Sequence, residues 1–213
     1  FAQPERPAVS VEIPAYNHLG YTLECLSSLE AAGGLADVEV IVIDDASSDR
    51  TGEVVPHIAG VRYIRNAENL NFIRTCNRAA AEAKGRLLVF LNNDVQVRPG
   101  WLEALRGVFD EIPDAGAAAP KMLFPDGRLQ EAGARIGRDG AAEMIGLFED
   151  PGLPRWNVRR EVDYASGACL MVERAVFQDL GGFDELFKPA YCEDADLCFR
   201  IRARGLKVIY EPG

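Results

Sequence analysis

Histidine is nearly absent from this sequence: there are two, His18 and His57, among 213 residues. Five cysteines stand at positions 25, 76, 169, 192 and 198 with no CxxC pair among them, so a structural zinc site has no ligand pattern to build on. Their odd number and wide spacing also argue against a disulfide framework, and they are expected as reduced cytosolic thiols. No apolar run reaches the roughly 18 residues of a membrane helix, and no basic-then-apolar leader opens the chain. Positive charge is in deficit. The 23 Lys and Arg against 33 Asp and Glu leave a net charge of −10, which argues against a protein whose affinity for nucleic acid or an anionic membrane comes from neutralising phosphates. A small anionic ligand stays open if cations or a metal are concentrated locally. There is no internal repeat and no low-complexity tract. The start at Phe1 and the stop at Glu211-Pro212-Gly213, straight after a strand-like run, read as a fragment of a longer chain.

What is present is an ordinary globular composition, 48% hydrophobic and 26% charged. A chain of this length buries about 70% of its unfolded surface, enough for interior strands flanked by helices. Val9 to Ile13 (VSVEI) is a β-branched run closed by Pro14, and Leu23, Leu26, Leu29 and Ala32 recur at helical spacing up to Gly33-Gly34. Val38 to Ile43 (VEVIVI) has the near-continuous apolar character of a strand covered on both faces. Ser47 or Ser48 is expected to cap a helix that begins near Asp49. Val61 to Arg65 is a third strand. A helix through Phe72, Cys76 and Ala80 is expected to end at Gly85, and Leu87 to Leu91 (LLVFL) is a fourth strand. The next helix carries Trp101, Leu102, Leu105 and Val108, with Pro99 in its first turn. Gly116 to Met122 reads as a strand and Phe124 to Arg160 as a functional loop or irregular hairpin. Ala168 to Val172, a short helix near Arg174 to Leu180, a helix through Leu197 and Ile201, and the strand Lys207 to Tyr210 complete the pattern. This alternation predicts an α/β protein: a Rossmann-like, mainly parallel open sheet with helices on both faces and ligands outside the carboxyl ends of its strands.

Three strand ends deliver polar side chains to that edge: Tyr16-Asn17, Asp44-Asp45 and Asn92-Asn93-Asp94. One acid after a strand is an ordinary turn residue or helix cap. Several at one end repel unless a cation or a hydrogen-bonding ligand lies among them. Asp94 suits a hard divalent cation that completes its shell with water and substrate phosphates. Tyr16 offers a flat face for a base, and Asp45 an acceptor for a base or ribose. Glu193, Asp194 and Asp196 head an amphipathic helix, where they are either capping acids or the source of a general base. Arg200 is spaced to pair with Asp196. The first strand is followed by Pro14-Ala15-Tyr16-Asn17 and not by GxGxxG, which argues against a nicotinamide-binding site.

The ordered series Ile13-Pro14-Ala15-Tyr16-Asn17, Asp44-Asp45-Ala46-Ser47-Ser48-Asp49, Asn69-Leu70-Asn71-Phe72 with Asn77, Leu91-Asn92-Asn93-Asp94, Ser166-Gly167-Ala168, Gly181-Gly182-Phe183-Asp184 and Glu193-Asp194-Ala195-Asp196 resembles the family 2 glycosyltransferases of the GT-A fold. The resemblance spans Val9 to Pro212, and Asn92-Asn93-Asp94 is similar to rhamnosyltransferase-like members. It implies an inverting transferase that moves a sugar from a nucleotide-diphosphate sugar to the hydroxyl of a saccharide or lipid-linked acceptor, with Mg²⁺ or Mn²⁺, in cell-surface polysaccharide synthesis. Its implied place is the cytoplasm or the inner face of the membrane. Asp194 would be the catalytic base and Asp94 the metal ligand. Pro14, Tyr16, Asn17, Asp45, Asn92, Asn93 and Glu193 would hold the nucleotide sugar. One domain is expected over 1–213, with a nucleotide-binding half over about 1–120 and an acceptor and catalytic half over about 121–213. Asn71 stands where the family usually has Gly, so that loop is expected to differ in shape. Asn92 replaces the first acid of the family's DxD motif, and a His that members often carry beyond Tyr210-Glu211-Pro212 lies past the end of the sequence. The alternative reading is a catalytically inactive nucleotide-sugar-binding module of the same fold.

Overall fold

In the computed structural model, which describes residues 1–213, the alternation is realised as β1 (Val9–Ala15), α1 (Leu19–Ala32), β2 (Val38–Asp44), α2 (Thr51–Val54), β3 (Val61–Arg65), α3 (Asn71–Glu82), β4 (Leu87–Leu91), α4 (Trp101–Glu111) and β5 (Ala115–Pro120). The second part of the chain adds β6 (Met122–Leu123), β7 (Leu129–Glu131), β8 (Ala134–Ile136), β9 (Ala142–Met144), β10 (Arg160–Glu161), β11 (Cys169–Glu173), α5 (Arg174–Asp179), α6 (Glu193–Ala203) and β12 (Lys207–Glu211). Eight strands form one sheet in the order β10-β12-β5-β11-β4-β1-β2-β3. β1 pairs in parallel with β2 and β4, while β11 runs antiparallel between β4 and β5.

Strand alternation explains why both faces are covered. Val9, Val11 and Ile13 point to the face packed by Leu26 and Leu29 of α1 and by Leu102 and Leu105 of α4. Ile41, Leu88 and Phe90 point to the opposite face, under Ile73 and Cys76 of α3 and Leu197 and Ile201 of α6. Each of the larger apolar side chains buried here contributes about 1.5–3 kcal/mol relative to its exposed state.

Two expected elements differ. The strand expected over Gly116 to Met122 breaks at Lys121, and Met122–Leu123 pairs instead with β7 in a separate two-stranded sheet. Pro99 lies outside α4, whose N-cap is Gly100 in the left-handed conformation at φ 91°. The segment over Phe124 to Arg160 is an irregular hairpin region, with β8 pairing antiparallel to β9.

Glu12 alternates with Val11 and Ile13, so its carboxyl enters the core, where it is fully buried and neither oxygen has a hydrogen-bond partner. Burial, reinforced by nearby Glu39, holds this carboxyl well above the ordinary range. The folded state therefore binds the proton more tightly than the unfolded one. Stability from this group is full below the unfolded carboxyl's titration and is lost as pH rises through the raised value. Glu12→Met, an apolar replacement of similar volume, is expected to stabilise the protein by about 2 kcal/mol and raise the melting temperature by about 6 °C at pH 8, with a smaller gain at pH 5. Thermal unfolding followed by circular dichroism checks this, and a lower melting temperature for the variant at pH 8 would contradict it.

Candidate functional site

Because β1, β2 and β4 are parallel neighbours, their carboxyl ends emerge on one edge, with Ala15 in register with Asp44. Pro14, Tyr16, Asp45, Asn92, Asn93 and Asp94 line a cleft of about 400 Å³ at that edge. Tyr16 is 52% exposed and presents its ring at the rim. Asp45 is buried; Oδ1 accepts from Asn66 Nδ2 and the Leu70 N–H, both at 2.7 Å, and Oδ2 accepts from the Asn71 N–H at 3.0 Å. One carboxylate thus ties the loop before α3 to the end of β2. Asp44 faces away from the cleft and accepts from the Ser47 N–H, Tyr63 Oη and the Arg65 guanidinium.

Asn17 does not line this cleft. Its Oδ1 accepts from the Ser48 and Asp49 N–H groups at 2.8 and 3.2 Å, so it holds the turn after β2. The serine cap expected for α2 does not form. Ser47 Oγ accepts from the Asn17 N–H at 2.7 Å, and Asp49 Oδ1 accepts from the Thr51 N–H at 2.9 Å in its place. Asn71 adopts φ 67°, the left-handed region that glycine enters freely and that Asn tolerates better than most residues.

Asp94 is exposed, and its carboxylate makes no hydrogen bond or ion pair within the chain. Asn93 beside it donates from Nδ2 to Thr22 Oγ1 at 3.0 Å and is thereby fixed to α1. Asn92 Oδ1 is buried with no partner. No three His, Cys, Asp or Glu side chains are grouped as a metal site. One free carboxylate with an unpartnered amide oxygen is the donor set of a hard cation that takes one protein acid and fills its shell from water and substrate phosphates, and the residues present fit Mg²⁺ or Mn²⁺.

Asp194 lies in the first turn of α6 and outside the 400 Å³ cleft. Its Oδ2 accepts from the Gly167 N–H at 2.9 Å and its Oδ1 from the Ala195 N–H at 2.7 Å. A Cβ on Gly167 would stand 3.4 Å from Asp194 Cβ, so this loop packs directly on the acid. Glu193 is 6% exposed with one oxygen unpartnered, and burial raises its carboxyl, aided by the charge of Asp194. It does not line that cleft either. Arg200 pairs with Asp196, Nε to Oδ2 at 2.7 Å.

A third acid here escaped sequence reasoning. Glu131 of β7 is buried, and its Oε1 accepts from the Ser166 N–H at 3.0 Å, the amide before the one that Asp194 takes. Burial, with the charge of Asp194 added, pushes the Glu131 carboxyl up to about 7. The signal that could have found it is the burial alternation of Leu129 and Glu131, spread over only three residues.

Beyond Asp94 opens a larger cleft of about 650 Å³, which shares Asn92 and Asp94 with the first and is walled by Val95–Arg98, Lys121–Pro125 and Ala168-Cys169. Ala168 of that lining directly follows Gly167, whose N–H Asp194 accepts, while Asp194 itself lines neither cleft.

The sequence model of "Glycosyl transferase family 2" matches residues 10–181. The O-antigen biosynthesis protein RfbC of Myxococcus xanthus is 32% identical over 214 residues, which cover 95% of this chain and 16% of that protein. The N-acetylglucosaminyl-diphospho-decaprenol L-rhamnosyltransferase of Mycobacterium tuberculosis is 29% identical over 230 residues, covering 97% of this chain and 73% of the relative. The chain thus spans a small part of the first relative's length and about three quarters of the second's. Among solved structures, GalNAc-T7 with UDP, GalNAc and Mn²⁺ superposes with a TM-score of 0.79 at 18% identity, over 99% of this chain and 43% of the other.

Proposed function

The chain belongs to glycosyl transferase family 2 and has a GT-A fold, and from that premise we propose an inverting, metal-dependent transfer of a sugar from a nucleotide-diphosphate sugar to an acceptor hydroxyl. The observation that carries this reading is that Asp94 lines the larger cleft with a free carboxylate, while Asp194, which lines neither cleft, accepts the N–H of Gly167, the residue before the cleft-lining Ala168 and Cys169. Pro14, Tyr16, Asp45, Asn92 and Asn93, on the other side of Asp94, take the base, ribose and diphosphate. Asn17 supports that half by holding its turn, and Glu193 is buried beside Asp194 in the first turn of α6. The nucleotide is held by about 1–120 and the acceptor by about 121–213.

Asp194 accepts the proton of the acceptor hydroxyl as that oxygen attacks the anomeric carbon on the face opposite the diphosphate. The new C–O bond forms as the bond from the anomeric carbon to the diphosphate oxygen breaks, so the configuration inverts and the electron pair leaves with the diphosphate. Both Asp194 oxygens already accept backbone N–H groups, which fixes the carboxylate's orientation. A divalent cation at Asp94, when bound, neutralises charge on the departing diphosphate. Mn²⁺ in a structural neighbour supports a divalent cation here.

The L-rhamnosyltransferase relative and the neutral Asn92 favour a rhamnosyl donor, and the relatives favour a saccharide or lipid-linked acceptor in cell-surface polysaccharide synthesis, at the cytoplasmic face of a membrane. No helix of the chain is long and apolar enough to cross a membrane. Calorimetric titration of UDP, dTDP and GDP tests the donor site. One nucleotide is expected to bind in Mn²⁺ and to bind at least about tenfold more weakly in EDTA, since Asp94 would hold a divalent cation that offsets the charge of the phosphates. Absence of binding by all three to the folded protein would overturn the reading.

A further inference from the structure

Most basic residues of this acidic chain are ion-paired with a carboxylate. Two that line the larger cleft are not. The Arg98 guanidinium makes no hydrogen bond or ion pair, and Lys121 Nζ donates only to the neutral Asn157 Oδ1, at 2.6 Å. Burial, with the charge of Arg98 added, holds the Lys121 ammonium below the ordinary lysine range, so the two cations are close enough to repel. Asp94 lines the same cleft but pairs with neither cation, and like charges that share a wall become favourable once an anion lies between them. The same wall contains Trp101, 5% exposed, whose Nε1 is a buried donor with no partner. Met122, Leu123 and Phe124 add an apolar strip beside the cations.

We propose that this cleft is the acceptor subsite and that Arg98 and Lys121 bind a phosphate or diphosphate group carried by the acceptor, with the strip at Met122–Phe124 covering the apolar carbons next to it. The inference rests on the transferase reading above and specifies the acceptor's chemistry. Neither cation lines the smaller cleft, where the Tyr16 and Asp45 side chains stand. The donor's diphosphate is served by the cation at Asp94. That leaves the charges of Arg98 and Lys121 for a second anion, in the cleft that Asp94 shares with Ala168 and Cys169.

The test is calorimetry in EDTA with farnesyl diphosphate and inorganic pyrophosphate as probes, beside nucleotide titration in Mn²⁺. The wild-type chain is expected to bind farnesyl diphosphate more tightly than pyrophosphate. The Arg98→Gln/Lys121→Gln variant should bind it at least about tenfold more weakly, whereas Arg98→Lys/Lys121→Arg keeps most of the affinity. Nucleotide affinity in Mn²⁺ should stay within about twofold in both variants. Equal loss of nucleotide affinity would show that these cations hold the donor's diphosphate, and unchanged farnesyl diphosphate binding, or none by the wild-type chain, would remove the anion site; either result overturns the proposal. Failure of every nucleotide to bind while farnesyl diphosphate binds would instead bring down the transferase reading, which keeps the two failures distinct.

Discussion

Asp194→Asn is expected to lower sugar transfer by about 10³-fold while nucleotide affinity in Mn²⁺ stays within about twofold. The size follows from the role: a positioned general base contributes about 10²–10⁴-fold, and an amide of the same shape cannot take the proton. The fold survives because Asn retains one carbonyl oxygen for the Gly167 or Ala195 N–H, so one of two backbone hydrogen bonds is lost, at about 1 kcal/mol. Loss of the negative charge also removes part of what raises Glu131, whose carboxyl should titrate lower in the variant. Initial rates of donor consumption with acceptor present, set beside calorimetry with the nucleotide alone, give the answer. An unchanged rate would disqualify Asp194 as the base, and a parallel fall in nucleotide affinity would make it a binding residue. Wild-type protein that binds the nucleotide sugar yet turns over no acceptor would favour the inactive binding module.

Asp94→Ala is expected to cost the metal-dependent part of nucleotide affinity, about 10²-fold, and to lower transfer by at least as much. The carboxylate has no partner in the chain, so its removal breaks nothing in the fold and takes one negative charge from an edge already rich in acids. The melting temperature should therefore hold within about 1 °C, as is usual for exposed substitutions away from packed features. What disappears is the carboxylate that would hold a hard cation, and with it the charge that cation would set against the diphosphate. The decisive comparison is in EDTA, where wild type and variant should bind nucleotide equally. A variant that keeps its Mn²⁺ response would place the cation elsewhere.

The alternation of apolar runs and helical spacings was sufficient to place β1 to β4 and the helices between them, because the interior strands are covered on both faces and are mostly apolar. It also placed Tyr16, Asp45 and Asp94 on one edge, since parallel strands all end on the same side. Capping was less legible. Ser47 and Ser48 both have the composition of an N-cap, yet α2 starts after Arg50, whose side chain makes no cap, and Ser47 is turned elsewhere because the Asn17 N–H, arriving after another strand, takes up its hydroxyl. Glu131 was invisible for a similar reason: a single acid in a three-residue strand has no period, and its raised carboxyl comes first from burial by distant segments and then from the charge of Asp194 that α6 brings near.

The sequence by itself determined the α/β class, the family and the short list of acids, because these depend on local period and on motifs read in order along one chain. Only the tertiary structure decided that Asp45 is bound up with the loop before α3 while Asp94 is free, that Glu12 is buried without a partner, and that Arg98 and Lys121 share a wall. Whether a charge is paired, buried or open to a ligand depends on which distant segments pack against it, and that has no trace in the local pattern.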